Sequence, residues 1–205
     1  ADDRRCFGFF HPALTDEPLI FVEVALTQGL AARIQPLLDA LPAGSDVAPP
    51  DTAIFYSISN CQRGLTGVSF GNLLIKQVVD ALSTELPSIR TFATLSPIPG
   101  FRSWLRRTLR DGPPKFLTDD DLEILNQKGW AETDVQRQKV KNALMRLCAD
   151  YLTQISDDGY AIDSVARFHL GNGASIEQIN WVGDLSEKAL RQSAGLMVNY
   201  HYVPD

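Results

Sequence analysis

A mixed α/β or α+β fold with a mixed sheet follows from how strand-like and helix-like stretches alternate along these 205 residues. Three observations carry that reading. Residues 18–26 and 53–59 are nearly continuous apolar, β-favouring runs of the kind that form buried strands. Between them and the next strand, Leu73, Leu74, Val78, Val79 and Leu82 recur at helical spacing toward Pro87. The last part of the chain then returns to strand, helix and strand.

Each element has its own signature. Residues 6–10 can pair as a hairpin with the strand at 18–26 across a loop at 11–18. Leu30, Ile34, Leu37, Leu38 and Leu41 share one face if residues 27–41 form a helix, and Gly44, Ser45 and Pro49-Pro50 make 42–51 a loop. The strand at 53–59 leads into a turn punctuated by Gly64, Gly67 and Gly71, which opens the helix toward Pro87. Residues 90–95 form the next strand, and Ser96-Pro97-Ile98-Pro99-Gly100 ends it abruptly.

After Gly100 the character becomes helical. Residues 101–110 read as a short basic helix anchored by Trp104 and Leu105, broken by Asp111-Gly112-Pro113-Pro114. Thr118 followed by three aspartates is an N-cap with acidic first-turn residues, for a helix through Leu125. Residues 133–155 read as one helix burying Val140, Leu144, Leu147, Cys148 and Leu152. The block of about 101–155 is expected to be a helical insertion between sheet elements, its charges a solvated face. Asp163 starts a short helix through Leu170, ended by Gly171-Asn172-Gly173. A strand at 174–182 containing Trp181, a helix at 184–193 and a strand at 195–203 complete the pattern.

Composition excludes several functions. The fractions of 44% hydrophobic and 21% charged residues are those of an ordinary globular domain. A net charge of −6 argues against broad nucleic-acid binding, which needs a basic field. Cys6, Cys61 and Cys148 are odd in number and widely spaced, so they read as free thiols. His11, His169 and His201 form no ligand pair, and no metal is expected. No apolar run reaches transmembrane length, and membrane association is not expected. The opening ADDRRCFGFF reads as an entry into a strand, as if the chain began partway into a larger polypeptide.

The residues offer a few places for chemistry. A glycine turn from a strand into a helix N-terminus presents unpaired N–H groups to an anion such as a pyrophosphate, although most such turns bind nothing. Ser96 stands at a stiff proline corner, which either holds its hydroxyl for use or lets it cap the next turn; position alone favours the cap. His169 can exchange a proton near neutrality, although a lone histidine is more often structural. Tyr56, Tyr200 and Tyr202 read as core or lining aromatics. Neither a Gly-x-Ser-x-Gly elbow nor a P-loop is present.

Six longer stretches identify a family. FYSISNCQRGLTGVSFGNLLIKQVV, TFATLSPIPGFRSWL, LMRLCADYL, VARFHLGNGA, INWVGDLSEK and GLMVNY are similar to the C-terminal catalytic part of malonyl-CoA decarboxylases, in the family's order and from about His11 to Tyr202. The resemblance implies an acyl-CoA N-acyltransferase-like (GNAT) fold, with parted central strands that admit the pantetheine arm. Thr66, Gly67, Val68, Ser69, Phe70, Gly71 and Asn72 match the family's malonyl-CoA-binding segment. Ser96 matches its essential serine and His169 its essential histidine, while Ser57 and Tyr202 match positions lining the site.

The implied activity is conversion of malonyl-CoA to acetyl-CoA and CO2, in fatty acid metabolism, through an enolate that His169 protonates, with no metal or other cofactor. A CoA-dependent acyltransferase and a non-catalytic acyl-CoA sensor are the alternatives. Position 69 is Ser here, where some members carry a Glu able to orient the histidine. The resemblance also implies a cytoplasmic protein (mitochondrial or peroxisomal in some members). Residues 1–205 would be a catalytic domain lacking early strands and lacking the N-terminal helical domain through which the family forms homo-oligomers.

Overall fold

The computed structural model describes residues 3–39, 49–62 and 71–203 of the chain. It opens with an antiparallel hairpin of β1 (Arg4–His11) and β2 (Leu14–Thr27). His11 pairs with Leu14, so most of the loop expected at 11–18 is the start of β2. A helix expected at 27–41 is reduced, among the described residues, to α1 (Gln35–Leu38). The reason is tertiary. Gly29 takes a left-handed φ of 66° and donates its N–H to Asp51, and the Ile34 N–H donates to the Gly183 carbonyl. The backbone of this segment finds partners elsewhere in the fold, and its apolar side chains reach the sheet without helical phasing.

β3 (Thr52–Asn60) runs antiparallel to β2. α2 (Gly71–Glu85) follows, then β4 (Thr91–Thr94), parallel to β3, and the two-residue β5 (Ser96–Pro97). Between β5 and the next strand the chain is helical: α3 (Phe101–Asp111), α4 (Asp119–Asn126), a 3-10 turn at Trp130–Glu132, α5 (Asp134–Lys139), α6 (Lys141–Thr153) and α7 (Ser164–Gly171). Thr118 caps α4 through a reciprocal bond pair with Asp121. The helix expected over 133–155 is therefore two, divided at Val140, whose φ of −96° and ψ of 10° leave the helical region. Val140 itself is fully buried, so the break aims both pieces at one core.

β6 (Ser175–Asn180), α8 (Glu187–Ser193) and β7 (Met197–Tyr202) complete the fold. Trp181 falls in the turn after β6, because Val182 adopts φ 48° and cannot extend the strand. β7 pairs antiparallel with β4 and then β5 along one edge, and with β6 along the other. The result is a mixed sheet flanked by helices.

Strand alternation decides which side chains meet. Val198, Tyr200 and Tyr202 point to the face covered by α2 and the helical block, where Phe101, Leu105, Leu144 and Leu147 are packed. Burying a side chain such as Phe101 or Leu105 contributes about 1.5–3 kcal/mol. Met197 points to the opposite face, with Ile54, Leu95 and Leu37 of α1. None of the described helices is long and apolar enough to cross a membrane.

Candidate active site

The two parallel strands part company in the middle of the sheet. β3 and β4 are paired from Thr52 and Thr91 to Phe55 and Thr94, and the Leu95 N–H still donates to the Phe55 carbonyl at 3.0 Å. Beyond that point β3 continues beside β2 to Asn60, whereas Ser96 and Pro97 pair with Val198 and Met197 of β7. The wedge between them is a cleft of about 320 Å³, roofed by Ser164, Val165, Phe168 and His169 of α7. Ser57 and Tyr56 line its β3 wall and Ser96 the other.

At the split the ladder to β7 is replaced by side chains. The Thr94 carbonyl accepts from Asn199 Nδ2 at 2.7 Å, and the Tyr200 N–H donates to Thr94 Oγ1 at 3.1 Å. Thr94 and Ser96 lie two residues apart on one face, and Ser96 Oγ is 2.9 Å from Thr94 Oγ1. Ser96 is therefore no turn cap. Its hydroxyl also lies 3.1 Å from His169 Nε2, across 73 positions of sequence.

His169 is placed by α7, whose N-cap Asp163 accepts from the Val165 and Ala166 N–H groups. Its ring lies between two tyrosines of β7. Tyr202 Oη is 2.9 Å from Nδ1, and Tyr200 stacks on the ring with centroids 4.5 Å apart. Burial pushes the imidazole pKa down to about 4. That outweighs the pull of the α7 C-terminus toward the cation, so the ring is neutral at physiological pH. Burial also pushes the Tyr200 and Tyr202 phenols above their usual range.

Thr94, Ser96, His169 and Tyr202 thus form one chain of exchangeable protons, each link 2.9–3.1 Å long. It can be satisfied in two orders. Tyr202 donates to Nδ1 while Nε2–H donates toward Ser96, or Nδ1–H donates to Tyr202 while Ser96 donates to Nε2. Apart from that chain, the residues lining the cleft are mostly apolar. Phe55, Ile58, Leu95, Pro97, Val165 and Phe168 share its walls with Tyr56, Ser57, Asn60 and Ser164, and there is no lysine or arginine among the described lining residues.

The structure places Ser57, Ser96 and His169 on the cleft, whereas Tyr202, expected to line the site, lies behind His169 and meets it at Nδ1 without lining the cleft. Thr66, Gly67, Val68, Ser69 and Phe70 lie outside the described residues, and Gly71 and Asn72 are the first residues of α2. Thr94 and Tyr200 were not singled out for chemistry. Thr94 was legible as a hydroxyl two residues before Ser96 on a strand, and Tyr200 as the same-face neighbour of Tyr202. No group of three or more His, Cys, Asp or Glu that could hold a metal ion occurs among the described residues.

Comparison with known proteins assigns the chain to a family. The protein is 40% identical over 222 residues to "Malonyl-CoA decarboxylase, mitochondrial" of Anser anser anser, covering 97% of this chain and 44% of that protein. It therefore spans less than half the length of that relative. The crystal structure of malonyl-CoA decarboxylase from Agrobacterium vitis superposes with a TM-score of 0.87 at 46% identity, over 100% of this chain and 51% of that one. That from Rhodopseudomonas palustris gives 0.82 at 50% identity, over 98% and 47%. The loading GNATL domain of CurA from Lyngbya majuscula shares the fold alone, with a TM-score of 0.53 at 14% identity over 93% of this chain and 73% of that one. The family profile described as the malonyl-CoA decarboxylase C-terminal domain matches residues 1–205, and the chain belongs to that family.

Proposed function

We propose that this chain is the catalytic domain of a malonyl-CoA decarboxylase, in which Ser96 engages the malonyl group and His169 supplies the proton. The observation that carries the reading is the buried Ser96–His169 contact at the point where β3 and β4 separate. A thioester arm entering the wedge would bring its acyl end to this pair. The segment Thr66 to Asn72, which matches the family's malonyl-CoA-binding segment, would hold the distal part of CoA.

Breaking the bond between the carboxylate carbon and the α-carbon leaves its electron pair on an enolate. The surroundings favour that step. A carboxylate in a cleft whose described lining is partly apolar and carries no lysine or arginine loses solvation, whereas the enolate spreads its charge onto a thioester oxygen that a hydroxyl can meet. Ser96, with Nε2–H directed at its oxygen, is oriented to donate there. A proton passing from Nε2 through Ser96 to the α-carbon then completes acetyl-CoA as the Tyr202 proton shifts to Nδ1, and solvent returns a proton to the phenolate left behind before the next turnover. Tyr202, donating to Nδ1, holds the tautomer that this order requires. No step in this scheme calls for a metal. With the activity go two further expectations, a cytoplasmic location and homo-oligomer formation through the family's N-terminal helical region.

The test is formation of acetyl-CoA and CO2 from malonyl-CoA by the intact protein, without metal or acceptor. Ser96→Ala and His169→Ala are each expected to lower kcat by about 10²-fold or more, with CoA thioester binding retained. Near-normal turnover in both variants at unchanged stability would overturn the assignment. Turnover that required an amine acceptor would favour an acyltransferase.

A further inference from the structure

The relay does not by itself set the distance between Ser96 and His169, because the two residues arrive on separate segments. Ser96 begins the corner that ends at Gly100, where α3 starts. His169 lies six residues into the helix that starts after Asp163. One side chain touches both ends. Tyr151 of α6 packs its ring against Phe101 and Trp104, with centroids 5.9 and 5.3 Å away, and donates its hydroxyl to Asp163 Oδ2 at 3.0 Å. The same hydroxyl sits so close over Gly100 that a Cβ there would overlap it.

Asp163 is almost wholly buried and uses both oxygens: Oδ1 caps α7, and Oδ2 takes the Tyr151 hydroxyl. A phenylalanine would fill the space between Phe101 and Trp104 equally well. Packing alone therefore asks for neither the hydroxyl nor the carboxylate it meets. Geometry gives them a use. Six residues of helix span about 9 Å, so a tilt of about 6° at the cap moves the imidazole by about 1 Å. A displacement of that size at a reacting group can lower turnover by about 10²-fold.

We propose that Tyr151 and Asp163 are positioning residues, a brace between the Gly100 corner and the α7 cap that sets the Ser96–His169 contact. The proposal builds on the functional reading above, and its test separates the two. In the intact protein, Tyr151→Phe, Gly100→Ala and the double variant are compared by kcat and KM for malonyl-CoA, by thermal melting, and by the NMR resonances of the His169 imidazole. Tyr151→Phe is expected to lower kcat about tenfold or more with KM within about twofold, and to shift the His169 resonances. Gly100→Ala is expected to cost more, because the new methyl drives the hydroxyl aside. Adding Tyr151→Phe removes the overlapping atom and should bring kcat back to that of Tyr151→Phe alone.

Wild-type kcat and unshifted His169 resonances in Tyr151→Phe would overturn the brace. If the intact protein does not decarboxylate malonyl-CoA, the functional reading falls, and the brace is judged by the His169 resonances. If Tyr151→Phe fails to fold, Asp163→Ser, whose hydroxyl can still cap α7 but which has no second oxygen for Tyr151, is read against the same outcomes.

Discussion

Tyr202 Oη and His169 Nδ1 are 2.9 Å apart, and the partner of that imidazole nitrogen is a phenol, not a carboxylate. The difference matters for the charge of the ring. A carboxylate at Nδ1 favours the imidazolium, whereas a buried phenol whose own ionisation is suppressed leaves the ring neutral and only fixes its tautomer.

Removing that phenol should affect turnover more than folding. Tyr202→Phe keeps the ring in the apolar cluster it shares with Phe92, its strand partner on β4, and deletes one neutral hydrogen bond, so about 1 kcal/mol of stability is at stake. kcat is expected to fall about tenfold or more with KM little changed, since the hydroxyl touches His169 and does not line the cleft. Steady-state kinetics on the variant checks this; equal kcat in Tyr202→Phe and wild type would remove Tyr202 from the relay.

The neutral imidazole also predicts a pH profile. His169 is held at about 4 when folded, against about 6.5 for a free histidine, so between those values the unfolded chain binds the proton that the folded chain refuses. The contribution of this residue is fully present above about pH 6.5 and is lost as pH falls toward 4, a swing of order 3 kcal/mol. Denaturant midpoints measured across that window should fall with pH, and His169→Gln should flatten the slope. kcat/KM should show no ionisation near 6.5 and decline only as pH approaches about 4. A full acid limb centred at 6.5 would show that His169 titrates like a free histidine, and a loss of kcat/KM as pH rises through 6.5 would show that the working form is the imidazolium.

Most of the frame was legible because it rests on local rules. The runs at β2 and β3, the apolar spacing of α2, the Thr118 N-cap and the helix that opens at Asp163 all appear in sequence as in structure. What escaped was decided by contacts distant in sequence. Leu30, Ile34, Leu37 and Leu38 have helical spacing, yet Ala31 gives its carbonyl to Asn199 and Ile34 its N–H to Gly183. The site divides in the same way. Ser96 and His169 were identified by the company they keep in the family's motifs, and no spacing rule links two residues 73 positions apart. Thr94 carries no motif, and its place beside Ser96 follows only from the strand continuing straight through Leu95.

Thr94 supplies the last prediction, because its hydroxyl has two tasks that substitution can separate. It accepts the Tyr200 N–H where the sheet ladder is interrupted, and it meets Ser96 Oγ. Thr94→Val preserves the β-branched shape but strands a buried N–H, at a cost of about 1–3 kcal/mol, and leaves Ser96 with His169 as its remaining partner of the two. Thr94→Ser keeps the hydroxyl and loses only a methyl group. Melting temperature and kcat are both expected to fall in Thr94→Val, while kcat in Thr94→Ser stays within about threefold of wild type. If the serine variant loses turnover as completely as the valine variant, the methyl group and its packing matter here, and the hydrogen-bonded chain ends at Ser96.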